Sequence, residues 1–162
     1  MIEFLQDPAY RHMLLNHIPL IGLAIALLVL LAGLLLKQAA VMYLGLALTL
    51  ASSAIALPVA LAGDAAYTEI YDGLGGDGRD WLDYHVYLAE RLLPLIYANA
   101  VLALVALVVG ILRSAWLSPA VALIALVSCA SVAGTVLVAE AGGKIKHPEF
   151  RWRDAPVIQR SD

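Results

Sequence analysis

Hydrophobic residues gather in four long stretches, residues 18–36, 39–62, 92–112 and 115–139, and none of these holds a Lys, Arg, Asp or Glu. Crossing a hydrocarbon core of about 30 Å takes roughly 20 residues of helix. Each stretch meets that length. A backbone in lipid must satisfy its own hydrogen bonds, so each predicts a membrane-spanning α-helix. Glu3 and Asp7 precede the first stretch, which is too long for the apolar region of a secretory leader, so a retained span is expected rather than a cleaved one. The polar positions fall in residues 1–17, 63–91 and 140–162.

The other two connections, Lys37-Gln38 and Arg113-Ser114, are so short that they force neighbouring spans into antiparallel hairpins. The predicted architecture is therefore all-α, an integral membrane four-helix up-down-up-down bundle in one domain over residues 1–162. Residues 63–91 and 140–162 then form a polar cap on one face, which the N-terminal segment shares. All thirteen acidic residues and all four histidines lie on that side or at its border, whereas the opposite face has only Lys37 and Arg113. That asymmetry points to a built site under the cap. Small residues such as Gly22, Gly33, Ser52, Ser128 and Gly134 predict close helix packing. Pro19 suits a first helical turn, while Pro58 and Pro94 are expected to bend their helices near the polar face and open a cleft there.

Composition agrees with this picture and narrows it. The chain is 62% hydrophobic and only 14% charged, with a mean hydropathy of +0.86, which excludes a soluble enzyme or a disordered tail. The single cysteine, Cys129, rules out an intrachain disulfide. A net charge of −3 without any basic stripe argues against nucleic acid as a partner and leaves the lipid bilayer as the evident one.

Candidate chemistry centres on the histidines. Residues 80–91 look like a helical extension of the third span, with Trp81, His85, Leu88 and Leu92 on one face. His85 then faces the bundle about 10 Å above the hydrocarbon edge. His17 stands at the lip of the first span. On a continuous helix His12 would point about 140° away from it, so the two cannot both aim at one point; His17, adjacent to the core, is the expected ligand and His12 a surface or supporting residue. His147 follows Gly142-Gly143, a pair expected to end the fourth helix and let the chain fold back over the bundle mouth. His17, His85 and His147 are thus candidate axial ligands of haem b, with Lys146 and Arg151 beside Lys144, Arg153 and Arg91 as cations for its propionates. A transition metal ion such as copper, zinc or iron would draw on the same histidines with His12, Glu90 and Glu149. Residues 73–78 match Gly-x-Gly-x-x-Gly but follow no strand, so they read as a turn. Asn99 is expected to hydrogen-bond between helices, and Trp81, Tyr84, Tyr87 and Trp152 to form an interfacial aromatic belt.

Taken together, His17-Ile-Pro19, Gly63-Asp-Ala-Ala66, His85-Val-Tyr-Leu-Ala89 and Gly142-Gly-Lys-Ile-Lys-His-Pro-Glu149 resemble a family of uncharacterised four-span bacterial inner-membrane proteins. The likeness covers nearly the whole chain, and its most specific piece is the Gly-Gly-x-Ile-x-His-Pro-Glu tail. In that pattern an acid often follows the histidine before the third span, where this chain has Val86. The resemblance implies a fold and a set of polar positions, and no reaction.

The expected function is electron transfer through a histidine-ligated haem b or redox-metal site at one membrane face, with a quinone or a redox protein as possible partner. Two alternatives share the residues: a metal-dependent membrane enzyme with Glu90 or Glu149 as base, and a metal-ion transfer or assembly subunit, including a homo-oligomer. Eight of the ten Lys and Arg lie on the polar face, which predicts cytoplasmic termini. Net charge, with those eight cations against thirteen acids giving −5 on that face and +2 on the other, would put the termini outside. Acids contribute little to topology, so the first count is preferred.

Overall fold

The computed structural model describes residues 6–158, and every regular element among them is helical. The helices are α1 (Pro8–Leu15), α2 (His17–Leu36), α3 (Ala39–Ala54), α4 (Ala56–Asp72), α5 (Gly76–Leu112) and α6 (Leu117–Lys146). They join into four segments long and apolar enough to cross a membrane, Pro8–Leu36, Ala39–Asp72, Gly76–Leu112 and Ser114–Lys146. The chain is a multi-pass membrane protein built as a four-helix bundle. Glu3, Arg160 and Asp162, which enter the charge pattern above, lie outside the described residues.

Two of the four segments lose a helical hydrogen bond, and proline explains both losses. Pro19 and Pro58 lack the N–H that would bond to Leu15 and Ala54, and the regular ladder is interrupted for one residue at Asn16 and at Ile55, three residues before each proline, while both keep right-handed helical dihedrals. By contrast α5 stays helical through Pro94. The polar cap is mostly helix too: α4 and α5 continue past the apolar spans and meet at a tight turn around Gly73. At the opposite face Lys37 turns the chain in the left-handed region, φ 53°, and the Gln38 N–H caps the Gly33 carbonyl at 3.1 Å.

The helices form a four-cornered ring in which α2 packs on α3 and α6, and α5 packs on the same two. Leu30, Leu46, Ala103, Val121 and Ile124 fill the centre toward the short turns. Leu23, Ala56 and Ile96 fill it toward the polar cap. Asn99 and Ser128, both fully buried, hydrogen-bond across α5 and α6 at 3.1 Å, the interhelical role expected for Asn99. The outer faces carry leucine and isoleucine, with Leu35 83% exposed, and suit lipid rather than water.

Backbones touch where glycine allows it. A Cβ on Gly33 would stand 2.8 Å from the Met42 backbone nitrogen, and one on Gly143 would meet nothing within 4 Å. Gly33→Ala is therefore expected to destabilise the bundle by about 1–3 kcal/mol, the cost of overpacking, while Gly143→Ala is neutral or slightly stabilising. Thermal unfolding in detergent micelles checks this. Equal melting temperatures for Gly33→Ala and wild type would show that the close α2–α3 approach does not hold the hairpin.

Candidate functional site

At the capped end of the bundle α1 lies against α4, and α5 against α6. Each pair carries one histidine with the same bonding. His12, on α1, places Nδ1 2.9 Å from the Val59 carbonyl of α4. His85, on α5, places Nδ1 2.9 Å from the Val138 carbonyl of α6. A carbonyl oxygen only accepts, so in both rings Nδ1 carries the proton and donates it, and a neutral ring keeps a free lone pair on Nε2. That is the arrangement of a metal-ligating imidazole, whose second nitrogen is tied to a carbonyl or carboxylate. The two rings stand 6.0 Å apart, centre to centre, with their planes perpendicular.

Glycine makes room for both. In a helix each carbonyl already accepts from the N–H four residues on, so a side chain donating to it must slip past that later residue. For Val59 the later residue is Gly63, and for Val138 it is Gly142. A Cβ on Gly63 would stand 2.8 Å from His12 Nδ1, and one on Gly142 3.2 Å from His85 Nδ1. Neither glycine has positive φ, so the backbone does not call for glycine at either position.

The other two histidines are elsewhere. His17 is exposed, and its Nδ1 turns back to the Met13 carbonyl one turn earlier, at 3.0 Å. The chain stays right-handed helical through Asn16, so His12 and His17, five residues apart, face different sides, and it is His12 that α1 lays against α4. His147 is exposed as well, 2.8 Å from the Glu149 carboxylate and stacked on Phe150. The expected chain reversal at Gly142-Gly143 does not occur: α6 runs on to Lys146 and ends before Pro148, whose ring disfavours a helical residue ahead of it. Glu149 lies outside the spans, and its carboxyl is held below its ordinary range by its own backbone N–H and then by His147.

The candidate cations have structural duties. Arg151 donates to the carbonyls of Lys144 and Ile145, both at 2.6 Å, and so caps the end of α6. Lys144 is only 3% exposed, paired with Glu140 at 2.6 Å and held between Trp81 at 4.6 Å and Trp152 at 4.2 Å. Trp81 is thereby a buried packing residue rather than part of an exposed belt. Arg91 lies over the Tyr87 ring, while Lys146 and Glu90 are exposed. Among the described residues, no group of three or more His, Cys, Asp or Glu comes together as a metal site.

The sequence reading missed the role of Gly63 and Gly142, together with the pairing of His12 with His85. One signal marks them: Val59-Ala-Leu-Ala-Gly63 returns as Val138-Ala-Glu-Ala-Gly142. Comparison with family models, with curated proteins and with solved structures found no match to this chain.

Proposed function

We propose that the chain is a membrane-embedded electron-transfer protein of the bacterial inner membrane, in which His12 and His85 would hold a b-type haem. The observation that supports this reading is the pair itself: two imidazoles, each bonded through Nδ1 to a backbone carbonyl, with ring centres 6.0 Å apart. Nitrogen binds a transition metal at about 2.0–2.1 Å, so two imidazoles on opposite sides of one ion have ring centres no more than roughly 6.3 Å apart. The observed spacing lies within that reach. Zinc sites ask for three or four protein ligands, and no third donor joins this pair among the described residues. Haem asks the protein for two ligands and brings its own four equatorial nitrogens, so it is the occupant such a pair suits best. It would supply a one-electron couple at the membrane border. The chain's part is to hold both donor atoms deprotonated, orient them, and shield them with α4 and α6.

Purified protein tests this directly. A Soret band that shifts on reduction is expected in wild type, lost to background in His12→Ala and in His85→Ala, and kept in His17→Ala and His147→Ala. A copper or zinc content without haem would replace haem by a bare ion at the same pair. Full haem occupancy in His12→Ala or His85→Ala would remove the pair as the site.

Orientation follows the Lys and Arg distribution, which favours cytoplasmic termini and a site at the cytoplasmic border. A C-terminal reporter checks it, with fluorescence from a green fluorescent protein fusion expected. Activity of an alkaline phosphatase fusion without fluorescence would put the tail and the histidine pair on the external face.

A further inference from the structure

The two histidine brackets are alike beyond their bond lengths. Aligning Val59 with Val138 brings Ala51, Ser52 and Ala54 onto Ala130, Ser131 and Ala133, and seven of the thirteen positions from 51 to 63 are identical to 130–142. Burial follows the same register, since Ser52 and Ser131, Ala56 and Thr135, and Ala62 and Ala141 are buried on both helices. Packing does too. The first span of each half touches the second span of its own half and that of the other, α2 with α3 and α6, α5 with α6 and α3. An alanine-rich composition explains matched alanines. It does not explain a histidine on the partner helix of each copy donating to the matched valine carbonyl beside the matched glycine.

We propose that the chain is two copies of one hairpin related by a pseudo-two-fold axis along the bundle, and that Gly63 and Gly142 are positioning residues. Each keeps a carbonyl open so that His12 or His85 is fixed as the Nδ1–H tautomer, with Nε2 as the donor atom of one shared metal centre. The metal centre rests on the reading given under Proposed function; the duplicated bracket does not. Glycine inside a helix costs roughly 0.5–1 kcal/mol against alanine. Alanine should therefore improve α4 and α6 at these positions unless the ring contact forbids it. The contacts rank the two: 2.8 Å at Gly63 makes the His12 ring move, and 3.2 Å at Gly142 asks His85 to give by a few tenths of an ångström.

The test uses the full chain in detergent micelles without cofactor, labelled with nitrogen-15 in histidine. In wild type, His12 and His85 are expected to show protonated Nδ1 and the strongly downfield signal of an unprotonated Nε2. Gly63→Ala is expected to shift His12 alone, Gly142→Ala to shift His85 alone and by less, and Gly143→Ala to shift neither. A wild-type Nε2–H tautomer at either ring, or an unchanged His12 in Gly63→Ala, overturns the proposal. Melting temperature supplies a second readout should Gly63→Ala fold poorly. The loss in that variant should vanish in the double variant His12→Ala/Gly63→Ala, because the ring it collides with is gone. A loss that persists in the double variant also overturns the proposal. A protein that passes these tests and takes up no haem would retire the haem reading and leave the bracket standing.

Discussion

An imidazole N–H set against a neighbouring apolar helix at the membrane border finds its partner in a backbone carbonyl, and reaching that carbonyl from another helix needs room where the residue four positions on would carry its side chain. That requirement organises the capped end of this bundle. It calls for glycine at 63 and 142, where Cβ atoms would stand 2.8 and 3.2 Å from the rings. It fixes the tautomer of His12 and His85 without a charged partner. It also ties α1 to α4 and α5 to α6, so the helical extensions beyond the apolar spans are docked to one another at this end.

Much of the fold was legible because the apolar stretches carry no charge and two of the turns are too short for anything but hairpins. Length against membrane thickness then decides the architecture, with little left to side-chain detail. The site was harder to read because it depends on which helix each side chain meets. His17 looked better placed than His12 because it adjoins the apolar core, yet the side of the helix that carries His12 is the one that meets α4. Gly142-Gly143 looked like a terminator, since glycine ends helices when nothing else is known of it. Here Gly142 serves a ring on another helix, and Pro148 stops α6. His85 was read correctly as facing the bundle because α5 is unbroken, so periodicity held. What it faces was not legible, since a contact 53 residues away leaves no periodic trace.

The cap's cations illustrate how charge can mislead about chemistry. Lys144 and Arg151 stand in a segment where a haem would want propionate partners, yet both are spent on the end of α6. Four carbonyls at a helix C-terminus lack intrahelical donors, and a guanidinium reaching two of them removes that deficit. The Lys144 ammonium, buried between Trp81 and Trp152, is paired with Glu140 and faces the two rings. These contacts hold the tail against the bundle and so steady the Val138 to Gly142 turn that receives His85.

The likeness of the two halves stops at their charges, and that difference bears on how an otherwise symmetric pair behaves. Leu61 and Ala65 of the first bracket correspond to Glu140 and Lys144 of the second, and Asp64 corresponds to Gly143. The first bracket thus carries an acid beside its glycine that forms no ion pair among the described residues, whereas the second carries a closed ion pair whose fields largely cancel at a distance. A matched carbonyl bond makes His12 and His85 donors of the same kind, and the unmatched charges place them in different potentials. Repetition sets the backbone bonding of the two rings, and the residues that escaped repetition set the electrostatics around them.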